Sequence, residues 1–173
     1  WLRVPETVRV RITGTRPPGV TAKDVALTII SELTADGATY MSIEYQLEHD
    51  DWSLSERMTL ANLAVEAGAK VGLVPPNEAI RKAYDVPEWL AVDTTATYTH
   101  DITINLSELS PVLAAPYFVD NVHPIQSYAG TPVDVVFVGT CTNGRLDDLH
   151  IVADILRGQH VAEDTRLLVI PAS

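Results

Sequence analysis

The sequence predicts an α/β protein in which a small α/β domain precedes the first βαβ unit of a doubly wound domain. Short alternating or apolar runs, typical of strands, take turns with longer amphipathic runs, typical of helices. Residues 133–173 give strand, helix and strand in succession, which is the pattern of a parallel βαβ unit. The chain has 173 residues, 46% of them hydrophobic, which is enough apolar material for one or two domains with a core.

The first predicted domain covers residues 1–111 and begins with a strand over 8–13. Polar and apolar side chains alternate in that strand, so one of its faces is expected to be buried and the other wet. The remaining strands predicted for this domain cover 40–45, 71–74 and 101–105.

Three capping residues predict where the helices of this domain begin. Thr21 precedes an apolar periodic run that reaches Leu33. Ser53 and Glu56 form a capping-box pattern ahead of a second helix, which is predicted to end near 68–70. Two shorter elements complete the domain: a helix that Asn77 caps and that runs through Tyr84, and a single turn over 106–109.

Residues 112–132 are predicted to connect two domains, because they are rich in proline and carry few periodic runs. The second predicted domain, 133–173, contains a strand over 133–139, a helix over 146–156 and a strand over 167–170.

The composition excludes several classes of partner. With 23 acidic and 12 basic side chains the net charge is −11, which disfavours nucleic acid and anionic membrane surfaces as partners. No apolar run approaches a membrane span. A single cysteine excludes an internal disulfide and indicates a reducing, cytoplasmic setting. Asp147 and Asp148 are interpreted as solvated charges in the first turn of the last helix.

Cys141 is the strongest candidate for chemistry. It follows an apolar strand over 135–139 and precedes a helix that begins near Leu146, so backbone N–H groups and a helix dipole favour its thiolate. Its neighbours Thr142 and Asn143 make the turn polar and accessible. From the residues alone, Cys141 is a nucleophilic or redox thiol, one ligand of a site completed elsewhere, or a small structural side chain.

Asn62 and Glu66 form a second candidate pair. They lie four residues apart within an otherwise apolar helix, so both are expected on one face. One interpretation is an inward polar pair, in which a buried Glu66 has a raised pKa and can carry a proton. The other is a solvated helix face that also carries Arg57 and Lys70.

The motifs around these residues resemble the aconitase superfamily. Residues 139–149 are similar to its signature, usually Gly-Ser-Cys-Thr-Asn-Ser/Gly-Arg followed by an acidic pair. Residues 58–69 are similar to its helix pattern Met-Thr-x-x-Asn-Met-x-x-Glu-x-Gly-Ala, with Leu63 in place of the second methionine. Residues 36–40 resemble especially the large subunits of 3-isopropylmalate dehydratase and homoaconitase. The similarity covers nearly the whole chain in the family's order and extends to 4–8, 17–24 and 104–111.

The resemblance implies a hydro-lyase that uses a 4Fe-4S cluster as a Lewis acid on a 2-hydroxy di- or tricarboxylate such as isopropylmalate or homocitrate. By this resemblance Cys141 is a metal ligand, the first of three cluster cysteines. Asn62 contacts the cluster edge, and Glu66 belongs to the proton and hydrogen-bond network. Thr142 and Asn143 position the cysteine.

Several parts of the family pattern are missing from this sequence. The Cys-x-x-Cys pair that completes the cluster does not occur, and neither do the family's substrate-binding arginines and catalytic serine. The chain is therefore expected to be an internal fragment, the second domain and the opening of the third aconitase-type domain. Its partners would be the rest of the large subunit, a small subunit with the swivel domain, and a carboxylate substrate.

Two other functions are compatible with the residues. The first is a stand-alone thiol enzyme with Cys141 as nucleophile, and the second is a non-catalytic interaction module.

In the hydro-lyase interpretation the fragment is expected to be inactive alone, and Arg145 is hypothesised to neutralise an anionic cluster or substrate.

Overall fold

The computed structural model of the protein describes residues 1–172. The chain divides into two compact units, Trp1–Pro124 and Ile125–Ser173. The division falls inside the segment 112–132 that the sequence suggests as a connection; the predicted domain limits themselves stay a prediction.

A four-stranded parallel sheet forms the centre of the first unit. Its strands are β1 (Thr7–Thr13), β2 (Ser42–Leu47), β3 (Val71–Leu73) and β4 (His100–Asn105). Their order is β3-β2-β1-β4, so β1 pairs on both sides, with Val8 opposite Ile43 of β2 and His100 of β4. The α/β class predicted from the sequence is confirmed.

Helices cover one face of this sheet, and the core lies beneath them. Val8, Val10 and Ile12 point to that face and are at most 1% exposed. Burying each such side chain stabilises the fold by about 1.5–3 kcal/mol. The helices of the unit are α1 (Ala22–Leu33), α2 (Leu54–Leu63) and α3 (Glu78–Ala83), with 3-10 turns at Ala64–Ala67 and Leu106–Glu108.

The opposite face of the sheet is polar. Arg9 and Arg11 of β1 both pair with Asp101 of β4. The hydrogen bond from Arg9 is the main cause of a lowered pKa at Asp101. The alternation predicted for the first strand is thus confirmed, with one face buried in the core and the other facing solvent.

The predicted caps are confirmed at all three helices. Asp24 accepts hydrogen bonds from the Thr21 backbone at 2.7 Å and hydroxyl at 2.6 Å. Ser53 and Glu56 form the reciprocal capping box, with Ser53 N donating to the Glu56 carboxylate at 2.8 Å. Asn77 Oδ1 accepts from the backbone N–H of the third helical residue of α3 at 2.9 Å.

Two predicted strands begin two residues too early. The strand predicted from residue 133 begins at Val135. The strand predicted from residue 40 begins at Ser42, because Tyr40 has a left-handed backbone with φ 62° that a strand excludes. The helix predicted to end near 68–70 does end there, since a 3-10 turn at Ala64–Ala67 continues it and Gly68 ends it at φ 81°. A Cβ on Gly68 would lie 2.8 Å from the Thr39 hydroxyl, so this corner suits glycine.

The segment 112–132 has more structure than the sequence predicts. It contains an antiparallel pair, β5 (Val112–Ala114) and β6 (Val122–Pro124), which packs against α1. Asp24, only 7% exposed, accepts a hydrogen bond from Val112 N at 2.8 Å and so ties β5 to the start of α1. Three-residue strands carry too little periodicity to be recognised from sequence.

The second unit is the predicted parallel βαβ unit. Strands β7 (Val135–Gly139) and β8 (Arg166–Ile170) pair in parallel, with the single-turn helix α4 (Thr140–Asn143) and α5 (Leu146–Leu156) between them. Successive residues of β7 remain exposed on both faces, 55% at Val135 and 37% at Val136. A two-stranded parallel sheet usually needs further layers to bury such strands.

Among residues 1–172, no helix combines the length and the apolar character that crossing a membrane requires.

Tyr45 provides a test of the core of the first unit. Its hydroxyl donates to Leu60 O at 3.0 Å, and burial raises its pKa. The folded state holds the neutral phenol while the unfolded state ionises near pH 10, so stability is fully present below about pH 10 and falls above it. Tyr45→Phe should cost about 1 kcal/mol at pH 7.

Denaturant unfolding of both proteins at pH 7 and pH 11 measures these effects. The variant should lose less stability between the two pH values than the parent protein does. An equal loss in both would show that Tyr45 does not titrate differently in the folded and unfolded states.

Candidate functional site

Cys141 lies at the carboxyl end of β7, inside the single helical turn α4. The polar turn predicted around it is therefore helical, and α5 begins five residues after the cysteine, at Leu146. Cys141 is exposed. The expectation of an accessible thiol outside the end of a parallel strand is confirmed.

The backbone around Cys141 is crowded and strained. Thr140 has φ 76°, a left-handed conformation that β-branched residues rarely adopt and that costs about 1–3 kcal/mol. A Cβ on Gly139 would lie 2.6 Å from Ile170 O, and one on Gly144 would lie 2.7 Å from Thr140 O. Both glycines therefore permit close contact between the cysteine turn and its surroundings.

Side chains of the turn hold each other in place. The hydroxyls of Thr140 and Thr142 are hydrogen-bonded at 2.9 Å, and Thr142 is 9% exposed. Asp148 of α5 accepts from Asn143 Nδ2 and from Arg145 N, both at 3.0 Å. The interpretation of Asp148 as a solvated charge is wrong, because its carboxylate fastens the cysteine turn to α5.

Asn143 also contributes an unusual buried acceptor. Its Oδ1 atom has no hydrogen-bond partner among the described residues, although its Nδ2 is bound to Asp148. A buried polar atom without a partner is costly, and such atoms often belong to a site that a ligand completes.

Metal donors do not gather into a site within the described chain. Across residues 1–172, no three His, Cys, Asp or Glu side chains come together in a metal-binding group. Cys141 supplies one thiol donor, so a metal centre there needs ligands in addition to those that the described residues provide.

Asn62 and Glu66 lie on consecutive elements of the first unit. Asn62 is half-buried in the last turn of α2, while Glu66 is exposed in the 3-10 turn that follows. Their neighbours on the outer surface are apolar, since Met58 is 48% and Val65 is 61% exposed. The inward interpretation is wrong for Glu66, which is exposed. The solvated interpretation is correct for Glu66 and Lys70, although apolar side chains share this surface.

Arg57, which one interpretation placed on a solvated face, is buried at 4% exposure. Its guanidinium donates to Trp52 O at 3.0 Å, Pro75 O at 2.5 Å and Asp50 Oδ1 at 2.7 Å. These three acceptors fix the start of α2, the helix that carries Asn62. Nothing in the local pattern separates this arginine from a solvent-facing one, because its acceptors come from the flanking loops.

Comparisons with known proteins identify the family. The sequence model of the aconitase family (aconitate hydratase) matches residues 1–132 and 126–173. Over its full length the chain is 57% identical to the 3-isopropylmalate dehydratase large subunit 1 of Deinococcus radiodurans. It is 54% identical to the homoaconitase large subunit of Thermus thermophilus and 48% to the 3-isopropylmalate dehydratase large subunit 1 of Methanopyrus kandleri.

The chain spans about two fifths of the length of these relatives, 40%, 42% and 43% respectively. The resemblance read from the cysteine turn and from the helix of Asn62 is confirmed, and the chain belongs to the aconitase family.

Asp148 and Asp147 allow a matched test of the cysteine turn. Asp148→Ala should destabilise the second unit by about 1 kcal/mol, because it removes the acceptor for Arg145 N and Asn143 Nδ2. Asp147→Ala removes the same charge from an exposed neighbouring position and should change stability by less than about 0.5 kcal/mol.

Hydrogen exchange of the α5 amides measures the stability of the second unit in both variants. The rate of Cys141 alkylation is a second measurement and reports how accessible the thiol is. Equal effects of the two variants would mean that charge at the helix start matters more than the hydrogen bonds of Asp148.

Proposed function

We propose that this member of the aconitase family forms part of the large subunit of a hydro-lyase that acts on a 2-hydroxy di- or tricarboxylate such as isopropylmalate or homocitrate. The exposed cysteine, held in a strained turn of the family's signature, is the observation on which the proposal rests. The relatives named as 3-isopropylmalate dehydratase and homoaconitase large subunits support the substrate class.

Cys141 fits one ligand position of a 4Fe-4S cluster. It is exposed, its sulfur is a suitable iron donor, and the turn beside it contains Asn143 Oδ1, which has no hydrogen-bond partner within residues 1–172. The other thiolate ligands would come from outside the residues described. A bound cluster supplies Lewis-acid chemistry at the substrate hydroxyl.

The residues of the turn hold Cys141 in position. The Thr140–Thr142 hydroxyl contact and the Asp148 carboxylate fix the turn from two sides, so the thiol is preorganised before it binds metal. Arg145 donates to Thr142 O at 3.3 Å and adds positive charge beside the turn, where an anionic cluster or substrate would be stabilised.

Asn62 and Glu66 supply polar groups from an otherwise apolar surface. In this proposal Asn62 contacts the cluster edge, and Glu66 moves a proton during dehydration and hydration. The exposed carboxylate in this structure would be partly covered in the complete enzyme, because Met58 and Val65 beside it present apolar area that favours burial.

The proposed partners are the rest of the large subunit and a small subunit. Exposed apolar side chains in the second unit, such as Phe137 at 50% and Ile155 at 70%, support the first of these. The chain alone is proposed to be inactive, and the single cysteine supports a reducing, cytoplasmic setting.

Replacement of the cysteine tests the cluster. In the full-length natural protein, reconstituted anaerobically with iron and sulfide, Cys141→Ser should abolish most of the visible absorbance and the bound iron, because a hydroxyl is a poor iron ligand. Thr140→Ser keeps the thiol and should leave the absorbance intact. Equal iron content in Cys141→Ser and in the parent protein would contradict the proposal.

Replacement of the carboxylate tests proton transfer. Glu66→Gln should lower kcat by about 10²–10⁴ while the cluster absorbance stays unchanged, because an amide cannot exchange the proton. Glu163→Gln changes an exposed carboxylate of the second unit and serves as control. Unchanged kcat in Glu66→Gln would remove this residue from the proposed mechanism.

A further inference from the structure

A cavity of about 210 Å³ opens at the carboxyl ends of β1, β2 and β4. It takes no part in the function proposed above. Glu66 lies near the amino end of β2, where Tyr40 N donates to Gly68 O, so the cavity is at the opposite edge of the sheet. Its lining comes from Ile12 and the loop after β1, from the loop after β2, and from Leu106 after β4.

The floor of this cavity is apolar and fully formed. Ile12, Trp52 and Leu106 are 1%, 3% and 4% exposed, so they belong to the core and leave only a small apolar surface at the base of the cavity. The recognition of a ligand here would therefore depend on the polar groups at the rim.

Hydrogen bonds between the three strand ends fix the walls. Thr15 N donates to Ser107 Oγ at 3.1 Å, and the same hydroxyl donates back to Thr15 O at 3.3 Å, which joins the loops after β1 and β4. Gly14 N donates to Glu48 Oε2 at 2.7 Å and joins the loop after β2. The cavity is therefore preformed, and a ligand would not have to order its walls.

Arg16 brings unused donors to the cavity. Its guanidinium lies over the Trp52 ring, 4.9 Å from the centroid, and its Nη1 pairs with Glu56. Within residues 1–172 no other nitrogen of this guanidinium has a hydrogen-bond acceptor, although the side chain is only 24% exposed. These remaining N–H groups suit a carboxylate.

Asp51 supplies the opposite charge. Asp51 is an exposed residue that lines the same cavity, and its carboxylate has no ion-pair or hydrogen-bond partner in the described part of the chain. A ligand with two carboxylates would place the second one near Asp51 without a cationic partner. A ligand with one carboxylate for the remaining Arg16 N–H groups and an ammonium for Asp51 gives each of them a partner of suitable chemistry.

We propose that this cavity binds a small α-amino acid as its zwitterion. The carboxylate accepts hydrogen bonds from Arg16, and the ammonium donates to Asp51. The volume of about 210 Å³ is below the range of about 300–1,000 Å³ usual for drug-sized ligands, so the cavity suits a small ligand.

Calorimetry of the 173-residue chain with L-valine tests the proposal, with isobutyrate and isobutylamine as ligands that each lack one charged group. L-Valine should bind at least about tenfold more tightly than either, because each half-ligand loses a charge-assisted contact. No L-valine binding below about 10 mM, or equal binding of a half-ligand, overturns the proposal.

Two variants assign the contacts. Arg16→Lys removes the planar fork and Asp51→Asn removes the carboxylate, and each should weaken L-valine binding at least about tenfold. Asp147→Asn makes the same charge change outside the cavity and should leave binding unchanged. Amide spectra of the free variants establish that they are folded; a folded Asp51→Asn variant that binds like the parent overturns the assignment. No cluster is needed, so the result is independent of the proposed hydro-lyase activity.

Discussion

The pairing of β1 with strands on both of its sides is the constraint on which the first unit depends. A strand with two parallel neighbours must turn its alternate residues to opposite faces, and here Val8, Val10 and Ile12 all fall on the helix-covered side. A register shift of one residue would put Arg9 and Arg11 into that core. Because the strands are parallel, the Glu66 turn lies near their amino ends and the cavity beside Arg16 lies at their carboxyl ends.

The second unit depends on a different constraint, the close approach of backbone to backbone at the end of β7. Gly139 and Gly144 leave no room for a side chain, so the intervening turn is pressed against the end of β8. The cost of the left-handed Thr140 is offset by contacts that include Asp148. The cysteine is exposed but held in a fixed position, which suits the proposed role of a metal ligand.

Much of this organisation could be predicted from the sequence. The caps at Thr21, Ser53 and Asn77 and the βαβ pattern depend on local chemistry, and the structure confirms them. The buried role of Arg57 could not be predicted, because its acceptors come from separate loops. The β5–β6 pair was missed for a related reason, since its strands are defined by packing on α1 and not by periodicity.

The hydrogen bond from Ala172 N to Gly144 O, at 2.7 Å, has a consequence for the order in which the molecule is made. The turn that carries Cys141 leaves the ribosome before Ala172 does. Until β8 and the two residues after it have been synthesised, the turn lacks this backbone contact. In the proposed function, a metal bound at that sulfur would therefore meet the complete turn only after Ala172 has been made.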